Sequence, residues 1–105
     1  MITPKQRQFL RGQAQKLSPM LQIGKNGITK TVLQQIQWQI NAQELIKISI
    51  LPNSSVQAEE LIQQVQEFDT QIQYVQDIGR MVILYKQAPQ ISHRHLSLKV
   101  KQISR

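Results

Sequence analysis

The stretch TKTVLQQIQWQINAQELIKISIL, residues 29–51, changes its hydrophobic period part-way along. In the first part Val32, Leu33, Ile36 and Ile40 recur at the three- and four-residue spacing of one helix face, which predicts a helix over Thr29 to Asn41. In the second part Ile46, Ile48 and Ile50 alternate with Lys47 and Ser49, the two-residue period of a strand, predicted over Glu44 to Leu51. A helix running directly into a β-branched strand is a building unit of an α/β fold.

Upstream, Thr3-Pro4 suits a helix start, because a threonine can cap and proline fits the first turn. Leu10, Ala14 and Leu17 then share a face beside Phe9, and Ser18-Pro19 is expected to end this helix. Met20 to Ile23 reads as a short strand and Gly24-Lys25-Asn26-Gly27 as a loop. Downstream, Pro52-Asn53-Ser54-Ser55 breaks the second strand. A third helix follows, with Ser54 and Gln57 spaced as a capping box and Ala58, Leu61, Ile62, Val65 and Phe68 as its stripe. Gln71 to Ile78 is a third strand, Gly79-Arg80 a turn, and Met81 to Lys86 a fourth strand, apolar on both faces and therefore central.

The order α-β-α-β-α-β-β predicts a single compact α/β domain with a four-stranded mixed sheet. Strands joined through helices are expected to pair in parallel, and the last two form a hairpin. The boundary falls at residue 87, with a domain over 1–87 and a basic C-terminal extension over 88–105. In the extension Leu96, Leu98 and Val100 alternate with Ser97, Lys99 and Lys101, which leaves two readings open: an edge strand, or a flexible tail that orders only on RNA.

At 105 residues the chain can bury a core without staples. It has no cysteine, which excludes disulfides, thiolate nucleophiles and cysteine-bound metal, and suits a reducing compartment. No apolar segment follows the first residues, and no run is long enough to span a bilayer, so no secretory signal and no membrane association are expected. The expected location is the cytoplasm.

The formal charge is +7 and it is segregated. Residues 1–30 carry +6 without an acid, residues 31–79 carry −5, and residues 80–105 carry +6 without an acid. Should the fold bring the basic ends together, one face is strongly positive, the footprint of a polyanion partner.

Enzyme chemistry lacks its parts. His93 and His95 sit together in the tail with no third ligand nearby in sequence, so they read as solvated histidines and not as a metal site. Glu59 and Glu60 are adjacent on a helix and point apart; no serine has a base to activate it, and no P-loop or dinucleotide fingerprint occurs. The reading is a protein that is not an enzyme, with no cofactor and no metal. The loop at residues 24–27 is the informative motif. Its glycines let the backbone adopt positive φ and approach a ligand, while the helix after it presents free N–H groups and a positive dipole end to phosphate. Lys25, Asn26, Thr29 and Lys30 add charge and donors there. A G-x-x-G loop clamps sugar-phosphate in the same way in KH domains. Trp38 falls opposite the Val32/Ile36/Ile40 stripe. It is read as structural, covered by the C-terminal segment, because the acidic middle is a poor place for RNA; a contact surface is the other reading. Tyr74 and Tyr85 are placed to pair across the hairpin, but the element order does not match a base-stacking RRM sheet.

Several ordered blocks resemble one known family. Leu10-Arg11-Gly12-Gln13-Ala14, Leu17-Ser18-Pro19, Ile23 to Thr29, Glu44 to Ile48, and Ile78 to Tyr85 are similar to stretches of the CRM domain, the chloroplast RNA splicing and ribosome maturation domain of YhbY-like proteins. The resemblance covers about residues 3–87. It implies a fold similar to the C-terminal domain of bacterial translation initiation factor three, and RNA binding through Gly24, Lys25, Asn26 and Gly27. It also implies association with precursors of the large ribosomal subunit. The chain departs from the short bacterial pattern beyond Pro89.

The reading from sequence is therefore a monomeric RNA-binding protein of ribosome biogenesis, its partner ribosomal RNA or the pre-ribosomal large subunit. The loop and the start of the second helix would hold phosphates. Lys5, Arg7, Arg11, Arg80 and Lys86 would widen the positive surface, and residues 94–105 would add electrostatic affinity. The rival is a protein-interaction module that docks on a ribosomal protein through Trp38 and the acidic middle.

Overall fold

The structure, a computed structural model, describes residues 2–103. Its elements are α1 (Pro4–Ala14), β1 (Leu21–Ile23), α2 (Lys30–Gln43), β2 (Leu45–Ile50), α3 (Ala58–Phe68), β3 (Gln73–Ile78), β4 (Met81–Tyr85), a 3-10 turn (Ile91–His93) and α4 (Leu96–Gln102). The α/β class, the element order through β4 and the four-stranded mixed sheet match the reading from sequence.

The strands lie in the order β1-β2-β4-β3. β1 pairs in parallel with β2, with Leu21 opposite Ile48, while β4 runs antiparallel to both β2 and β3. The expectation that helix-linked strands pair holds for β1 and β2 and fails for β2 and β3. β4 folds back along β3 and inserts between them, because it is the strand apolar on both faces: Val82 and Leu84 face one side, Ile83 and Tyr85 the other, and all four are buried.

The sheet therefore carries two cores. Under α2 and α3 lie Ile36, Ile40, Ile46, Ile48, Leu61, Val65 and Leu84. Under α1 and α4 lie Leu10, Ala14, Leu45, Val75, Ile83, Tyr85 and Val100. A register shift between Tyr74 and Gln76 leaves Val75 as the extra residue of a bulge, and Val75 is buried in the second core. Tyr74 stands opposite Leu84 and Tyr85 opposite Gln73, so the expected tyrosine pair does not form.

The helix ends differ from the reading in three places. α1 stops at Ala14, ahead of Ser18-Pro19, and the Lys47 ammonium caps it by donating to the carbonyls of Ala14 (3.5 Å) and Leu17 (3.2 Å). The capping box belongs to α1: Thr3 Oγ1 accepts from Gln6 N and Gln6 Oε1 from Thr3 N. At α3 the N-cap is Gln57 without a side-chain bond, and Ser54 Oγ accepts instead from Val56 N at 3.2 Å. Glu59 and Glu60 in its first turn complement the helix dipole there.

The C-terminal segment is neither an edge strand nor a free tail. It forms the 3-10 turn and α4, which packs against α1, with Gln6 Nε2 donating to Val100 O at 3.0 Å. Its anchor is Glu44, which is not the first residue of β2 but the C-cap of α2, at φ 69° and fully buried. One carboxylate oxygen accepts the N–H groups of His95, Leu96 and Ser97 at 2.9–3.0 Å, and the other accepts that of Ala88 at 2.9 Å. Burial pushes the Glu44 carboxyl up, but these donors outweigh it and hold it below the usual range. Burial and then the Glu44 charge push the neighbouring Tyr85 hydroxyl up to about 12. Arg105 lies outside the described residues.

Candidate nucleic-acid interface

The 24–27 loop begins where β1 ends. Leu51 N donates to Ile23 O at 2.9 Å and Gly27 N to Gly24 O at 3.1 Å, which closes the turn against the end of the sheet. The two glycines differ in what they demand. Gly27 sits at φ +73°, where a side chain is strained, and it leans toward Val56. Gly24 lies outside that region, and a Cβ added to it would meet nothing within 4 Å, so it leaves open space. Thr29 caps α2 by accepting Val32 N at 3.1 Å. The amides of Lys30 and Thr31, in the first turn, have no acceptor within the helix. Lys25, Asn26, Thr29 and Lys30 are all exposed around them. The loop is thus a ring of donors and positive charge on a helix N-terminus.

Two of the expected basic contacts are spent on the fold. Lys86 is buried and pairs with Asp69 at 2.6 Å, because β4 carries it inward beneath α3 instead of onto the surface. Burial raises the Asp69 carboxyl, but the bond from Lys86, joined by donors from Gln71 and Gln37, holds it below its usual range. The Arg80 guanidinium is turned onto the backbone, donating to the carbonyls of Ile50, Leu51 and Ser54 at 2.8–2.9 Å. It therefore fastens the segment that leads to Val56 beside Gly27, while the residue itself stays exposed and its charge is not paired with an acid among the described residues.

The other basic positions spread along α1. This helix crosses the opposite face of the sheet from α2 and α3 and leaves part of that face uncovered. Gln8, Arg11, Gly12 and Gln15 wall a groove with Lys47, Gln76, Ile78 and Met81 across it. The groove opens toward the β3–β4 turn. That is the end of the sheet that carries the 24–27 loop, as Ile50 N donating to Arg80 O shows. Arg11 is exposed beside it, and Ile78 is 62% exposed. Arg7 stacks on Tyr74, 5.8 Å from the ring centroid. Lys5 is exposed at the other end of the sheet, near the start of β3, where Ile2 N meets Gln73 Oε1. The structure brings Gly24, Lys25, Asn26, Gly27, Thr29 and Lys30 into one site, sets Arg11 along the groove, and keeps Lys5 and Arg7 apart. Lys47, on the Leu45-Lys47-Ser49 face of β2, and Gln76, Ile78 and Met81, on β3 and β4, were not among the site residues expected from the sequence.

α4 lies beside α1, so the basic N- and C-terminal segments meet on one face, with Lys99 and Lys101 exposed. Glu59, Glu60 and Glu67 lie on α3, across the sheet. Trp38 is 78% exposed, so the C-terminal segment does not cover it as expected. Among the described residues no group of three His, Cys, Asp or Glu is placed to hold a metal ion, and no helix is long and apolar enough to cross a membrane.

Fold and site together define a small α/β domain with a glycine-flanked basic loop on a helix N-terminus. The sequence pattern of the CRS1 / YhbY (CRM) domain matches residues 2–86, and the chain belongs to that family. It is 36% identical over 88 residues to the Bacillus subtilis (strain 168) protein named "Probable RNA-binding protein YqeI", covering 84% of this chain and 91% of that one. An RNA-binding protein of Haemophilus influenzae (strain ATCC 51907 / DSM 11121 / KW20 / Rd) is 35% identical over 85 residues, covering 81% of this chain and 85% of that one. The solution structure of the Staphylococcus aureus protein SAV1595 superposes with a TM-score of 0.71 at 34% identity, over 90% of this chain and 98% of that one.

Proposed function

We propose that this chain is a non-catalytic RNA-binding protein that acts in the cytoplasm, as a monomer, on precursor rRNA of the large ribosomal subunit. The observation that carries the reading is the 24–27 loop: open space at Gly24, exposed Lys25, Asn26 and Lys30, and free amides at the start of α2. The family and the RNA-binding names of two relatives point the same way. In this reading, phosphate oxygens accept from the first-turn amides of α2, and Lys25 and Lys30 neutralise their charge. Arg11 and Lys47 extend the positive path along the groove beside α1, and residues 1–87 form the binding unit. The 88–105 extension contributes Lys99 and Lys101, which act by releasing counterions and not by reading sequence.

Gly24→Asp and Lys25→Glu test the loop, since neither position is restrained by positive φ or by burial. Filter binding to a large-subunit rRNA fragment, with circular dichroism to check the fold, should show both variants folded and clearly weakened. Folded variants with unchanged affinity would remove the loop from the mechanism. Sedimentation with large-subunit precursors should be lost after RNase; retention that survives RNase would point to a ribosomal protein as the contact.

A further inference from the structure

Trp38 is the largest exposed apolar side chain, and nothing among the described residues covers it. It stands on an exposed ridge of α2 made of Thr31, Gln34, Gln35, Trp38 and Ala42, which follow one another at helical spacing. The ridge starts in the first turn of the helix, beside the 24–27 loop. From Lys30 to Trp38 it advances about 12 Å, the span of about three or four stacked nucleotides.

We infer that Trp38 stacks on an unpaired base of an RNA strand whose phosphates sit at the loop, so that the ridge carries the strand away from the helix N-terminus. The inference rests on the RNA-binding role proposed for the loop. Three further observations select a nucleobase as the occupant. α2 contains no acidic residue, and its one charged residue is Lys30. Glu44 at its C-cap is buried, and Asp69 is held by Lys86 and by Gln37, which lies about 100° round the helix from Trp38. The tryptophan is flanked by the amide side chains of Gln34 and Gln35, which can both donate to and accept from base edges. On α2 itself Trp38 is the one large exposed apolar residue, a single aromatic plane among amides; Phe68, Ile78, Ile91 and Leu98 lie on other elements, of which α3 and the 3-10 turn pack against α2.

Because Trp38 is the only tryptophan, its fluorescence reports on this contact alone. The full chain is titrated with a labelled single-stranded RNA and with the same backbone lacking bases, following anisotropy for binding and tryptophan emission for stacking. The RNA should bind and quench the emission, and the abasic strand should bind without quenching. Trp38→Ala should weaken RNA binding about 5- to 150-fold and leave abasic binding unchanged, with Trp38→Phe in between. RNA that binds without altering the emission would overturn the inference and leave the loop reading standing. Failure of both strands to bind would remove the loop reading and the inference with it. Equal weakening of both strands by Trp38→Ala would show a structural role, and emission that responds to a ribosomal protein but not to RNA would assign the ridge to a protein partner; either result overturns the inference.

Discussion

Replacing Glu44 by glutamine tests the anchor that turns the C-terminal segment into a packed helix. The wild-type carboxylate accepts four backbone N–H groups, from Ala88, His95, Leu96 and Ser97, at 2.9–3.0 Å. An amide has one oxygen. If that oxygen keeps the three donors at the start of α4, the NH₂ faces Ala88 N–H, and a buried donor is left without an acceptor. The unsatisfied donor alone costs about 1–3 kcal/mol, and loss of the charge weakens the remaining bonds from the charged to the neutral range, about 1 kcal/mol each. These terms total about 4–6 kcal/mol, with the free energy of undocking the segment as the ceiling, because the rest of the fold can survive without it. Hydrogen exchange should show Ala88, Leu96, Ser97 and Val100 losing protection while Ile46, Ile48 and Leu84 keep most of theirs. Chemical denaturation should show the loss of stability. A change below about 0.5 kcal/mol, typical of surface substitutions, with unchanged exchange in α4, would refute the reasoning.

Other substitutions separate backbone from packing effects. Gly27→Ala places a side chain at φ +73° and should cost about 1–2 kcal/mol in urea denaturation, whereas Gly24→Ala, with open space and no positive φ, should be near neutral. Ile36→Ala removes a fully buried side chain from the core under α2 and should cost about 2–5 kcal/mol by the same assay. The folded-state values of Glu44 and Asp69 are depressed from 4.5 and 3.8, so the unfolded chain takes up protons first as pH falls. Their contribution should be complete above about pH 5 and should fade as pH drops through the folded-state values, an acid-limb decline that Glu44→Gln should make shallower.

The parts of the fold that local pattern controls were legible. The isoleucine alternation in β2, the stripe of α3 and the two-sided apolar run of β4 each name their own surroundings, and the β3–β4 hairpin follows from Gly79, which takes φ +58°. What was not legible depends on partners distant in sequence. Glu44 looks like the first residue of a strand until α4 brings three N–H groups to it. Leu96, Leu98 and Val100 have the alternation of a strand, but Val100 is buried against α1 while Leu98 stays 53% exposed, as a helix docked on one face requires. For the candidate site, the glycines and the capping threonine could be read from local rules. The roles of Arg80 and Lys86 could not, because charge tallies do not say which cations the fold consumes. Lys86 turns to Asp69 and Arg80 to the carbonyls after β2, and both relations arise only when β4 inserts beside β2.

The central claim is that RNA contacts this domain at the 24–27 loop and the first turn of α2. It is tested most directly by titrating the ¹⁵N-labelled protein with a single-stranded fragment of large-subunit rRNA and following every backbone amide. The account predicts that the earliest and largest shifts fall on Gly24 to Thr31, with Arg11 and Lys47 following along the groove. Saturable binding that leaves those amides unmoved while shifting residues elsewhere would contradict it.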